Sequence, residues 1–115
     1  MRKYALVKKP SEIKMVILYD SGEGTYLFPC HSAEDIGAVG DEWYESFQVA
    51  EEVCQEKYGS ISSDWIQIGD PLEHCQHDFI RPVRIRGRDK GTPQWGQLEE
   101  LIDGSWIPLK VRQSS

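Results

Sequence analysis

The stretch KMVILYDSGEGTYLFPC, Lys14 to Cys30, constrains this chain more than any other. Two apolar runs flank Ser21, Gly22, Glu23 and Gly24, residues that turn a backbone. The pattern predicts an antiparallel hairpin whose loop exceeds the tightest two-residue type. Met15 to Tyr19 is almost continuously apolar, so the first strand is expected to be central, with both faces covered. Pro29 ends the second strand or marks its edge, because proline brings no N–H to a ladder.

Other strand signals surround this hairpin. Tyr4 to Lys8 reads as a short strand stopped by Pro10. Trp65 to Ile68 is strand-like, with Gly69, Asp70 and Pro71 as its stop. In PVRIRGR, Val83 and Ile85 face one way while Arg84, Arg86 and Arg88 face the other. Arg88 to Pro93 is a turn segment. Asp103–Gly104 then separates two further strands, and an Asp-Gly pair in that setting is a strong hairpin signal. The last residues, 112–115, are expected to fray.

One segment carries helical periodicity. In DEWYESFQVAEEVCQEKYG, Trp43, Phe47, Ala50, Cys54 and Tyr58 recur at helical spacing and Val53 widens the stripe. Asp41 is placed to cap its start, and Gly59 fits just past its end. A helix this short and one-sided has to lie on a sheet. The expected architecture is α+β: a single domain over 1–115, with about seven short strands in a mainly antiparallel, curved sheet packed against one amphipathic helix. A small curled barrel plugged by the helix is the alternative. Exposed edges of one such sheet would allow a homodimer through edge pairing.

The chain has 115 residues, enough for one true core without staples. No apolar run is long enough to span a membrane. The apolar run Tyr4 to Val7 is too short for a signal peptide, so a cytoplasmic location is expected. Cys30, Cys54 and Cys75 are odd in number and widely spaced, against a disulfide framework. A formal charge of -6 weighs against general duplex binding.

Chemistry could reside in the loop His74, Cys75, His77 and Asp78, which mixes imidazole, thiol and carboxylate. Cys30 and His31 could join His74, Cys75 and His77 around zinc, although regular Cys-x-x-Cys spacing is missing. Cys54, on the apolar stripe, reads as an inert core thiol. No phosphate-loop, dinucleotide or nucleophile-elbow motif occurs, and no cofactor is expected. Arg84, Arg86 and Arg88 form a strip able to grip oxyanions, with Trp95 placed to stack. Pairing with this chain's own Glu99 or Glu100 is the plainest use of that strip. Glu34, Asp35, Asp41, Glu42 and Glu45 make an acidic patch around the helix entrance. Tyr44 and Trp106 are the rings least accounted for by a core.

Three functions follow as expectations. The one carried forward is a small acidic, non-catalytic interaction protein that binds, inhibits or assists another protein. Its binding residues would be Tyr44, Arg84, Arg86, Arg88, Trp95 and Trp106. A second is a metal-binding or hydrolytic domain centred on the His74–Asp78 loop. A third is RNA or single-strand binding through the face of Arg84, Arg86 and Arg88.

Overall fold

The computed structural model describes residues 1–59 and 64–109. The class is α+β, with eight strands and one α-helix among these residues. The strands are β1 (Arg2–Leu6), β2 (Met15–Asp20), β3 (Thr25–Cys30), β4 (Glu42–Tyr44), β5 (Ile66–Ile68), β6 (Val83–Ile85), β7 (Leu98–Ile102) and β8 (Ser105–Pro108), and α1 is Phe47–Tyr58. Every strand pairing is antiparallel. They form two sheets rather than one, a five-stranded sheet in the order β4-β3-β2-β1-β5 and a three-stranded sheet in the order β6-β7-β8. The chain correspondingly divides into two compact units, Met1–Asp70 and Pro71–Ser115. The division falls where the sequence reading places a strand stop: Pro71 cannot extend the ladder of β5. The frayed tail expected at 112–115 lies outside the described residues.

In the first unit the expected hairpin and its central strand are both present. β2 pairs β3 from Met15↔Cys30 to Asp20↔Thr25. The turn between them closes with Ser21 N–H donating to Gly24 O at 3.0 Å, and Gly22 takes the φ of 92° that a side chain resists. Met15 to Leu18 are all buried, so β2 is covered on both faces as its unbroken apolar run predicts. Pro29 sits within β3, where its missing donor costs nothing. β4 reaches only Leu27, and beyond it the Pro29 carbonyl accepts from Val39 N–H at 2.9 Å.

The helix begins later than its periodicity predicts. Ser46, not Asp41, is the N-cap: it is extended (φ -142°, ψ 159°) and its hydroxyl accepts from Val49 N–H. Trp43 therefore belongs to strand β4, opposite Tyr26, and is 52% exposed. Trp43 and Phe47 are four apart, a spacing that suits a helix and also a strand followed by a cap. The free edge of β3 decided the matter. The indole covers Gly24, where any Cβ would overlap the ring, much as aromatic side chains shield glycines in other sheets. The C-terminal expectation holds, with Gly59 at φ 73° donating to Gln55 O. Ala50, Cys54 and Tyr58 then lie on Ala5, Val16, Leu18 and Leu27 to make the core, with Phe47 and Val53 at its margin. Lys3 on β1 ties the helix down through Glu51 at 3.0 Å and lies 4.4 Å from the Phe47 ring centroid.

Ser46→Ala is expected to cost about 1 kcal/mol by orphaning the Val49 N–H. Asp41→Ala should change stability by less than about 0.5 kcal/mol, the range of ordinary surface substitutions. Chemical unfolding of the two variants checks the cap assignment directly.

The second unit is a meander. β6 and β7 pair from Val83↔Glu100 to Ile85↔Leu98, and β7 and β8 from Glu99↔Pro108 to Ile102↔Ser105. Asp103 (φ 50°) and Gly104 (φ 81°) form the tight turn, as the Asp-Gly signal predicts. Leu109 N–H donates to Leu98 O at 2.8 Å, so by alternation Trp106 and Pro108 point their main-chain groups outward. Pro108 offers no donor there, which blunts this edge. No helix among the described residues is long and apolar enough to cross a membrane.

Candidate functional site

The histidine loop hands the chain to β6. Leu72 O accepts from Cys75 N–H at 3.0 Å, Cys75 bridges Arg84, and Gln76 N–H donates to Val83 O at 2.7 Å. His74 holds φ 66°, which turns the backbone so that Cys75 goes inward and is 3% exposed. His74 itself is exposed, with Nε2 3.4 Å from Glu73 Oε1. His77 is exposed and Asp78 half-buried. In the first unit Cys30 is buried at the end of β3, and His31 beside it is exposed. Among the described residues no group of three or more His, Cys, Asp or Glu is placed to hold a metal ion. Cys30, Cys54 and Cys75 are buried, and none is in a disulfide among the described residues.

Burial pushes the Cys54 thiol up to about 12, with the Glu42 and Glu51 carboxylates adding to the shift. The native state therefore keeps this proton after the unfolded chain has lost it. Its contribution is complete below the ordinary thiol value and is lost as pH climbs toward 12. Stability is expected to fall by about 1 kcal/mol per pH unit above roughly pH 9. Tyr58 and Tyr44, raised first by burial and then by Glu42, add to this slope. Unfolding titrations at rising pH check it, and Cys54→Ala should flatten the curve.

Tyr44 is half-buried against the helix–sheet core, and its hydroxyl donates to Glu42 at 3.1 Å. Lys57 Nζ reaches the same Glu42 oxygen at 3.2 Å. Tyr44 is thus a core-margin residue, and Glu42 of the acidic patch is already neutralised. Because the helix starts at Phe47, Asp41, Glu42 and Glu45 precede its first turn, which holds no acid.

The arginine face of β6 has more structure than alternation alone shows. Arg84 Nε donates to Glu99 Oε1 at 2.7 Å, across the register that sets the two opposite each other. A second guanidinium nitrogen lies 3.4 Å from Asp89 Oδ2, and the guanidinium carbon sits 3.8 Å from the Trp106 ring centroid. Trp106, unexplained by core packing, is thus the platform for Arg84. Arg81 pairs Glu100 at 2.6 Å, and Arg88 donates to Gln76 at 3.0 Å. Own-chain pairing accounts for Arg84 and Arg81. Arg86 is exposed with no acidic partner among the described residues, and so is Lys90.

A cleft of about 340 Å³ is lined by Arg84 of β6, Glu99 of β7 and, from the segment between those strands, Arg86, Asp89, Lys90 and Thr92. The loop between the strands is tied by its own backbone. Gly87 O accepts from Lys90 and Thr92 N–H at 3.1 and 3.0 Å, Arg86 O accepts from Gln94 N–H, and Gln97 O from Arg86 N–H. Gly87 has φ 81°, and a Cβ there would overlap the Thr92 carbonyl oxygen. Trp95, just past the cleft-lining Gln94, is 76% exposed.

Sequence reasoning named Arg84, Arg86, Glu99 and Trp95 but took Asp89, Lys90 and Thr92 for turn residues only. The available signal was Gly87 and Gly91 bracketing a short charged turn, Arg88–Lys90. The chain matches no protein-family model, no curated protein and no solved structure.

Proposed function

We propose that the chain is a small non-catalytic binding protein that engages another protein through the arginine face of its second unit. The observation that carries this reading is Trp95, 76% exposed on a backbone-tied loop and next in sequence to Gln94, which lines the same cleft as Arg86 and Lys90, neither of which has an acidic partner among the described residues. Large rings and guanidinium groups are the residues that most often dominate the binding energy of interfaces. A ring held on a rigid loop also loses little freedom on binding. Buried cysteines Cys30, Cys54 and Cys75, in no disulfide among the described residues, suit a reducing compartment such as the cytoplasm. The short outer strands β4 and β5, with three residues each, favour side-chain recognition over pairing through a sheet edge.

The test is recovery of the protein with its partner from the native cell, followed by titration of the purified pair. Trp95→Ala is expected to weaken binding by at least about tenfold, the loss of roughly 1.4 kcal/mol that marks a hot spot. An unchanged affinity in Trp95→Ala would place the interface elsewhere. Binding to an RNA oligonucleotide that falls steeply with salt and depends on Arg86 would replace the protein partner with nucleic acid.

A further inference from the structure

We infer that the cleft between β6 and the following loop receives a single carboxylate, the side chain of an acidic residue on the partner. This inference rests on the reading of the second unit as a binding surface and names the chemistry that it recognises. Among the described residues the charged groups lining the cleft are Arg84, Arg86 and Lys90 against Asp89 and Glu99. Both carboxylates are directed at Arg84, at 3.4 and 2.7 Å. Arg84 is therefore spent on its own chain, and the unmatched charge belongs to Arg86 and Lys90. With all five groups counted the cleft is one positive charge in excess. A carboxylate balances that excess. A phosphate, carrying about 1.5 to 2 negative charges at neutral pH, would overshoot it beside two carboxylates.

Geometry favours the same ligand. The Arg86 guanidinium offers paired N–H donors that match the two oxygens of a carboxylate, and Lys90 adds a point charge. Thr92 lines the same cleft and brings a hydroxyl donor. A volume of about 340 Å³ takes a side chain and not a folded element. The walls are set before binding: Gly87 closes the loop through Lys90 and Thr92, and Glu99 with Trp106 fixes Arg84. A prearranged cleft spares the ordering cost that a mobile loop would incur.

The experiment uses the ¹⁵N-labelled full chain and a short peptide of glutamate, glycine and serine. Side-chain Nε–H signals of arginine and the Trp95 indole signal are followed together. The peptide is expected to shift Arg86 and Trp95, and its glutamine counterpart to shift neither. Arg86→Gln and Lys90→Gln, both at exposed positions, should each weaken peptide binding by about tenfold. If the peptide moves Trp95 while both variants bind it unchanged, the cleft inference falls and the binding-surface reading stands. If the native partner also leaves Trp95 unmoved, the binding-surface reading falls with it. Tighter binding of inorganic phosphate at the same signals would overturn the carboxylate assignment. N-acetylglutamate binding as tightly as the peptide would make the ligand a small carboxylic acid, overturning the partner side chain as its source.

Discussion

Arg84→Ala is expected to destabilise the second unit by about 3 kcal/mol, because it strands a buried carboxylate. Glu99 is 9% exposed, and Arg84 Nε donates to its Oε1 at 2.7 Å. The substitution also strips the guanidinium from the Trp106 ring, 3.8 Å away. Arg84→Lys should recover only part of the loss: an ammonium can neutralise Glu99 but cannot also lie flat on the indole while reaching Asp89. The double variant Arg84→Met with Glu99→Leu should recover most of it, since two apolar side chains leave no buried charge behind. Hydrogen exchange at the amides of β6, β7 and β8, with chemical unfolding, reads the effect. An Arg84→Ala protein with unchanged exchange in these strands would mean that Glu99 finds water or another partner, and that the pair is incidental.

A loss of similar size is expected in the other unit from Leu18→Ala, about 3 kcal/mol. Leu18 is 0% exposed and packs in the cluster that joins β2 and β3 to Ala50, Cys54 and Tyr58. Truncation removes the transfer energy of the side chain and leaves a cavity that a close-packed sheet and helix cannot refill. Trp43→Ala is the informative companion. Were Trp43 on the core stripe of a longer helix, its loss would cost about 3 to 5 kcal/mol. Half-exposed on β4, with its ring over Gly24, it should cost about 1 kcal/mol, the size of an ordinary sheet contact. Unfolding in urea of both variants separates the two placements of this residue.

Local signals in the chain were legible where a single rule governs them. Turn residues marked both hairpins, Ser21–Gly24 and Asp103–Gly104, because only certain residues tolerate the required φ. The unbroken run Met15–Leu18 marked the central strand, and Gly59 marked the helix end. Pairing of the arginine face with Glu99 or Glu100 was legible from alternation, but the register that gives Glu99 to Arg84 and leaves Glu100 to Arg81 came from the structure. The start of the helix was not, because Trp43 fits either period and the choice lay with the unpaired edge of β3. Nor was the cleft. Asp89, Lys90 and Thr92 read as turn residues: Gly87 and Gly91 mark a tight turn in the sequence, but not that it folds back against β6.

By itself the sequence determined the class of the fold, the antiparallel pairing of neighbours along the chain and the burial of the apolar stripe. These depend on φ preferences and on periodicity, which each stretch carries within itself. Only the tertiary structure decided that the strands divide into two sheets, that Trp43 leaves the core, and that Arg84 is consumed internally while Arg86 and Lys90 have no acidic partner among the described residues. Those outcomes are set by which edges, charges and rings meet across distance in the chain, and a charge is free or spent only once its neighbours in space are known.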